Sequence, residues 1–290
     1  MILKDKNLYY VGGVVRDELL GVKNIDVDLC YEGDAITFAQ KNNLLIKKIN
    51  PDFGTVNVEY KGNFIDIAST RNEIYPRKGH LPKVQKIGCS LKEDLIRRDF
   101  TINAMAKRTT DNEIIDYFDG KKDLDKKLLR VLHKNSFIDD PTRIIRGLKF
   151  SVRFNFKLDS ETKKLQEEYL NNVNYDMSFF RLKKELVDAF NLNKRKVLEI
   201  FIKDNMYKLL GENQCIPNTI PEKIEERIIE TKTNHIWLIY LGIFDLSNLE
   251  LTRAEKRIIE WFYRLKEEKP SNNTPIESII MDEIWRRNND

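Results

Sequence analysis

Hydrophobic and polar positions change their rhythm near residue 120. Before it, short apolar runs and alternations at a period of two predict strands over Leu8–Val11, Ile25–Cys30, Leu44–Ile49, Thr55–Tyr60 and Asn63–Ala68. Helices are predicted over Gly13–Leu20, closed by Gly21 as a C-cap, and over Asp34–Lys41. The stretch Thr70–Ser90 holds Pro76, Pro82, Gly79 and Gly88 and predicts a long mobile loop, a length that is usually functional. Beyond Gly120 the apolar residues recur at helical spacing almost to the end. Asp140–Arg153, Ser160–Leu170, Ser178–Phe190, Lys194–Leu210, Pro221–Thr231 and Thr252–Lys266 all read as helices, several behind a good N-cap such as Ser178 or Thr252. The expected class is α+β. A mixed head spans 1–120, a helical neck 121–190 and a helical body 191–290.

Composition narrows the picture without deciding it. At 290 residues, 41% hydrophobic and 33% charged, the chain suits an ordinary soluble protein of two or three small domains. A net charge of +4 permits a nucleic-acid partner but does not demand one. Cys30, Cys89 and Cys215 lie far apart, as do His80, His133 and His235, which argues against a zinc site or a disulfide framework. A reducing, cytoplasmic setting is expected, with no cleavable leader. No apolar run approaches the roughly 20 residues that cross a bilayer.

The first chemical signal is Gly12-Gly13-Val14-Val15-Arg16-Asp17, followed by Asp26 and Asp28. A strand ending in two glycines lets the backbone come close to a phosphate, because no Cβ blocks approach. Arg16, one turn into the next helix, is placed to reach a phosphate oxygen. A strand Asp26-Val27-Asp28-Leu29 turns both carboxylates to one side, which suits Mg²⁺. Asp66 is a candidate third carboxylate on a neighbouring strand. Gly-Gly or Asp-x-Asp alone is common; both together, in this order, are far less so.

The second signal is the run Glu93 to Ala106, where dense charge precedes what reads as an apolar helix capped by Thr101. Arg97 and Arg98 are candidates for triphosphate or sugar, and Asn103 for holding a loop. The third runs from Asp139 to Phe150. Pro141 fits a first helical turn, and Ile144, Ile145, Leu148 and Val152 share a face opposite Arg143 and Arg146. Asp140 lies one turn before Arg143, while Lys149 has rotated nearly to the other side. Cytosine and adenine both offer an amino donor beside a ring acceptor, so a carboxylate next to a guanidinium complements both and mismatches uracil and guanine.

In these strings the chain resembles the class II tRNA nucleotidyltransferases, the family of CCA-adding enzymes and related bacterial poly(A) polymerases. The carriers are the Gly-Gly-Val-Val-Arg-Asp string, Asp26-Val27-Asp28, Arg97-Arg98-Asp99 with the Phe-Thr-Ile-Asn-Ala that follows, and Asp140-Pro141-Thr142-Arg143 with Ile-Ile-Arg146. The resemblance is strong over roughly residues 8–155; beyond, Phe180 to Leu186 is the best-placed piece. It implies a polymerase-β-like head and helices that hold the tRNA acceptor end. It implies Mg²⁺ at Asp26 and Asp28, and nucleotide contacts from Gly13, Arg16 and one of Arg97 and Arg98. It implies a protein template of Asp140 and Arg143, with Arg146 and Lys149 in support. The implied reaction is two-metal transfer of C and A from CTP and ATP to the tRNA 3′ end, with no nucleic-acid template and no protein partner.

The chain departs from the family's pattern in places. Asp139 stands where many members have Glu, Lys149 where Arg is usual, and Gly147 where Ala is common. The chain is short for a member with a full tail, so a reduced tRNA-gripping region is expected. The segment Arg71–Gly79 looks like an intact head loop, which disfavours addition of CC alone; nothing separates full CCA from A-only addition. Poly(A) polymerase is a weaker rival, as is an RNA-binding protein with a relic head, against which Asp26 and Asp28 speak. A small-molecule nucleotidyltransferase would not need the long helical body. Arg195, Lys196 and the 181–184 run are candidates for tRNA phosphate.

Overall fold

Leu8 and Tyr10 pack on one side of the first strand, Tyr9 and Val11 on the other, and this alternation builds a sheet with two covered faces. The computed structural model describes residues 3–22 and 28–287. The chain forms two compact units, Met1–Asp139 with Lys157–Thr162, and Asp140–Phe156 with Lys163–Asp290.

The first unit contains β1 (Leu8–Val11), α1 (Gly13–Leu19), β2 (Asp28–Tyr31), α2 (Ala35–Lys41), β3 (Leu45–Asn50), β4 (Thr55–Tyr60) and β5 (Asn63–Ser69). It continues with β6 (Arg71–Ile74), β7 (Lys83–Ile87), α3 (Leu91–Ile96), β8 (Met105–Arg108), β9 (Ile114–Asp116), α4 (Gly120–Asp125), β10 (Leu128–Leu129) and α5 (Ser136–Asp139). The main sheet runs β3-β4-β5-β2-β1-β8-β9. Within this sheet, among the described residues, only the β2–β5 pair is parallel. One face packs Leu8, Leu29, Val56, Val58, Ile65 and Ile67 against Ala35, Phe38 and Ala39 of α2. The other packs Tyr9, Val11, Cys30 and Ala106 against Leu91 and Leu95 of α3. Each fully buried Leu or Ile stabilises the sheet by about 1.5–3 kcal/mol.

Two expectations are corrected here. Residues 71–87 are not a loop but a hairpin, β6 paired antiparallel with β7 through Arg71↔Ile87 and Ile74↔Lys83. The apolar run after Thr101 is not a helix. Thr101–Asn103 makes a 3-10 turn and Met105 opens β8; the helix lies upstream, as α3, behind a Ser90/Glu93 capping box.

The second unit holds α6 (Thr142–Phe154), followed in the chain by β11 (Lys157–Leu158) and α7 (Ser160–Asn171), then α8 (Phe179–Phe190), α9 (Arg195–Lys203), α10 (Ile224–Thr231), α11 (Ile236–Leu241), α12 (Arg253–Arg264) and α13 (Ile276–Asp282). Ser178 caps α8 and Thr252 caps α12, as the sequence suggests. The long helix expected over Lys194–Leu210 breaks at Asp204–Asn205, where Asn205 takes a left-handed φ of 58°, and resumes as a 3-10 turn over Met206–Leu210. Phe190 sits at the centre, 5.4 Å from Phe201 and 5.6 Å from Tyr240, ring to ring. Edge-to-face and tilted pairs of this kind add about 0.5–1.5 kcal/mol beyond burial.

Candidate active site

The turn between β1 and α1 needs its first glycine. Gly12 sits at φ 69°, ψ −127°, a conformation that side chains disfavour. A Cβ there would stand 3.0 Å from Arg98 Nη1, so the arginine leans against the bare backbone. Arg16 is buried, with only 5% of its surface exposed, and does not extend into open solvent. Its Nε and Nη2 meet Asp17 Oδ1 at 2.7 and 2.6 Å, and its Nη1 donates to Asn103 Oδ1 at 2.6 Å. Asn103 Nδ2 donates in turn to Asp99 Oδ1, which also accepts from the Phe100 amide. The expected residues Arg16, Asp17 and Asn103 therefore form one network that pins α1 to the 101–103 turn.

At the end of α3 a second network forms. Asp94 has no exposed surface. Its Oδ1 accepts from Arg97 Nε and Nη2 at 3.1 and 2.8 Å and from the Arg71 amide at 3.1 Å. Its Oδ2 accepts from Arg98 Nη2 at 3.0 Å. Burial alone would raise the carboxyl's pKa, but the adjacent Arg98 and Arg97 hold it below the usual carboxylate range. Arg97 is also paired with Glu73 of β6 at 3.1 Å. Burial works against its charge, yet Asp94 and Glu73 raise its pKa above the ordinary value. Burial drives the Cys30 thiol pKa up, and the charges of Asp94, Arg98 and Arg97 act on it too, which places this network beside β2. Sequence reading picked out the two arginines but not Asp94 or Glu73. The i,i+3 and i,i+4 spacing of Asp94 to Arg97 and Arg98 carried part of that signal.

The carboxylates lie on the same sheet face. Asp28 opens β2 and is exposed; Cys30, two residues on, packs with α3 on that face. Asp66 of β5 is the register partner of Asp28 across the parallel pair, so the two side chains stand side by side, about 4.8 Å apart at the backbone. Asp66 Oδ1 accepts from Asn57 Nδ2 at 2.8 Å. Asp26 lies outside the described residues. Two exposed oxygen donors in register suit a hard divalent cation.

In the second unit, Asp140 stands two residues before α6, and its Oδ1 accepts from the Thr142 amide at 3.2 Å and hydroxyl at 2.6 Å. Its Oδ2 accepts from Arg181 Nη2 of α8 at 2.5 Å. Arg143 is buried, as are Ile144 and Ile145. Arg146 pairs with Glu185 at 3.3 Å, and Lys149 with Glu185 and Asp188 at 3.2 Å. These two cations brace α6 against α8. Burial pushes the Tyr169 hydroxyl up to about 12, and the charge of Asp140 adds to the rise. Three other basic candidates also have partners inside the unit. Lys183 pairs with Glu255 at 2.6 Å, Arg195 with Glu199, and Lys196 donates to Asn155.

Residues 8–130 match the poly A polymerase head domain. An A-adding tRNA nucleotidyltransferase of Aquifex aeolicus is 48% identical over 172 residues, 56% of this chain and 20% of that protein. A CCA-adding enzyme of Lactobacillus gasseri is 35% identical over 206 residues, 67% of this chain and 49% of that protein. A crystal structure of a tRNA nucleotidyltransferase with a primer tRNA and an incoming ATP analogue superposes with a TM-score of 0.71 at 28% identity, over 97% of this chain and 91% of that one. The chain thus spans half or less of the length of these two curated relatives. With the two-faced sheet, the glycine turn and the paired arginines in place, residues 8–130 match the poly A polymerase head domain, and the chain is similar to A-adding and CCA-adding tRNA nucleotidyltransferases.

Proposed function

We propose that this protein transfers nucleotides from ATP and CTP to the 3′ end of tRNA. The observation that carries the reading is the register of Asp28 with Asp66 on the sheet face that also bears α3 and its arginines. Asp28, with Asp66 beside it, and Asp26 would hold Mg²⁺, which when bound polarises phosphoryl oxygens and offsets developing negative charge. The protein's own part is positioning. Gly12 leaves room at the turn, and Arg98 presents positive charge next to it. Arg16 keeps the turn rigid through Asp17 and Asn103.

Base choice would rest on Asp140 and Arg143. Asp140 Oδ1 takes two hydrogen bonds from Thr142, but Oδ2 takes one, from Arg181 Nη2, so Oδ2 can accept from an exocyclic amino group with its second lone pair while Thr142 and Arg181 hold the carboxylate still. Arg143 would donate to the neighbouring ring acceptor, a pattern shared by cytosine and adenine. A tRNA-processing role would put the protein in the cytoplasm.

A second reading, addition of the terminal A alone, is favoured by one observation: 48% identity to an A-adding relative against 35% to a CCA-adding one. The test is incorporation on three truncated tRNAs, ending before the first C, before the second C and before the A. Extension of all three to CCA supports the main reading. Extension of the last alone supports the A-only reading. A long homopolymer of A would point to poly(A) polymerase, and no extension at all would overturn the proposal.

A further inference from the structure

We propose that Asp94 is the positioning residue for the triphosphate, and that it divides the adjacent arginines into one bracket, Arg97, and one phosphate ligand, Arg98. The inference rests on the nucleotidyl-transfer reading above and assigns roles that the reading leaves open.

Asp94 is fully buried and accepts four hydrogen bonds, three of them from guanidinium nitrogens. A carboxylate that gives up all its hydration needs such compensation, and it holds its donors stiffly in return. The two arginines do not share it equally. Arg97 presents Nε and Nη2 to Asp94 and Nη1 to Glu73, so all three of its nitrogens face acids. Arg98 gives only Nη2 to Asp94. Its Nη1 lies where a Cβ on Gly12 would make close contact. Among the described residues, Arg98 Nε is a buried side-chain nitrogen with no hydrogen-bond partner. A buried donor left unmatched costs about 1–3 kcal/mol unless something supplies an acceptor.

Charge points the same way. Glu73 pairs with Arg71 and Arg97, while Asp94 pairs with Arg97 and Arg98. In these pairs of described residues, three cations face two anions, which leaves one positive charge over. Arg71 and Arg98 each have one acid in these pairs and Arg97 has two, and of the two singly paired cations it is Arg98 that stands at the glycine turn. A phosphate oxygen there would satisfy its donors and the surplus charge at once. Asp94 also accepts from the amide that opens β6, so one carboxylate fixes both the phosphate ligand and the root of the hairpin.

The experiment measures ATP and inorganic tripolyphosphate affinity by calorimetry, with no tRNA present. Arg98→Ala and Asp94→Asn should each weaken both ligands on the order of tenfold or more, the loss expected for a charge-assisted hydrogen bond. The double variant should be no weaker than Arg98→Ala alone, because Asp94 acts through Arg98. Asp94→Glu, which keeps the charge, should recover part of the loss. Arg97→Ala should lower the unfolding temperature but weaken tripolyphosphate several-fold less than Arg98→Ala. Additive losses in the double variant, or Arg97→Ala costing as much affinity as Arg98→Ala, would overturn the assignment. If Asp94→Asn does not fold, the two arginine variants, both partly exposed, still decide it. A wild-type protein that binds neither ligand would sink the proposed function instead; wild-type binding untouched by Arg98→Ala and Asp94→Asn sinks this inference alone.

Discussion

Replacing Gly12 with alanine separates backbone strain from loss of the site. Gly12 adopts φ 69°, ψ −127°, a region almost reserved for glycine, and forcing alanine into it costs about 1–3 kcal/mol. The new Cβ would also stand 3.0 Å from Arg98 Nη1. That nitrogen ends a flexible side chain, but Asp94 holds its twin Nη2 at 3.0 Å, so the guanidinium can yield only by loosening that bond. Gly21 supplies the control. It has a similar φ of 67°, with nothing within 4 Å of its virtual Cβ. Both variants should unfold earlier, by roughly 2–4 °C per kcal/mol lost. Only Gly12→Ala should also weaken ATP, on the order of tenfold by calorimetry. Gly12→Ala binding ATP as tightly as Gly21→Ala would refute the placement of Arg98 at the glycine turn.

Two other outcomes follow from the same contacts. Arg181→Ala strips a charged donor from Asp140 and should cost about 1–2 kcal/mol of stability, the lower end because Arg181 is partly exposed. It should also raise UTP misincorporation relative to CTP, as Arg143→Ala should; unchanged fidelity would remove Asp140 from base choice. The depressed pKa of Asp94 gives stability that is fully present above its unfolded value near 3.9 and is lost as pH falls through the lower folded value. Urea unfolding midpoints should therefore fall below about pH 4 in the wild type, and the drop should be shallower in Asp94→Asn.

What the sequence disclosed follows from which constraints are local. β1, β4 and β5 were legible because one-residue alternation sorts Leu8 from Tyr9, and Ile65 from Asp66, onto opposite faces. α8 and α12 announce themselves with Ser178 and Thr252 at their caps. The 102–106 run misled because Ile102, Ala104, Met105 and Ala106 are all fully buried, which erases the period that tells strand from helix. The β6–β7 hairpin was hidden for the opposite reason. Lys83, Glu73 and Lys86 interrupt its apolar pattern, and its root is fixed from afar by Asp94 and Arg97. The same holds for the site. Gly12, Asp28 and Arg98 sit in readable strings, whereas the partnership of Arg181 with Asp140 spans 41 residues and leaves no local mark.

The most direct test of the account is labelled-ATP incorporation into tRNA lacking its terminal A, with Mg²⁺ present, comparing wild type with Asp28→Ala. Asp28 is exposed and makes no core, so the variant should keep the wild-type unfolding temperature. Incorporation should fall by at least the order of a hundredfold expected when a key electrostatic group is lost. A folded Asp28→Ala protein that still extends the tRNA at the wild-type rate would contradict the claim that chemistry happens on this face of the sheet.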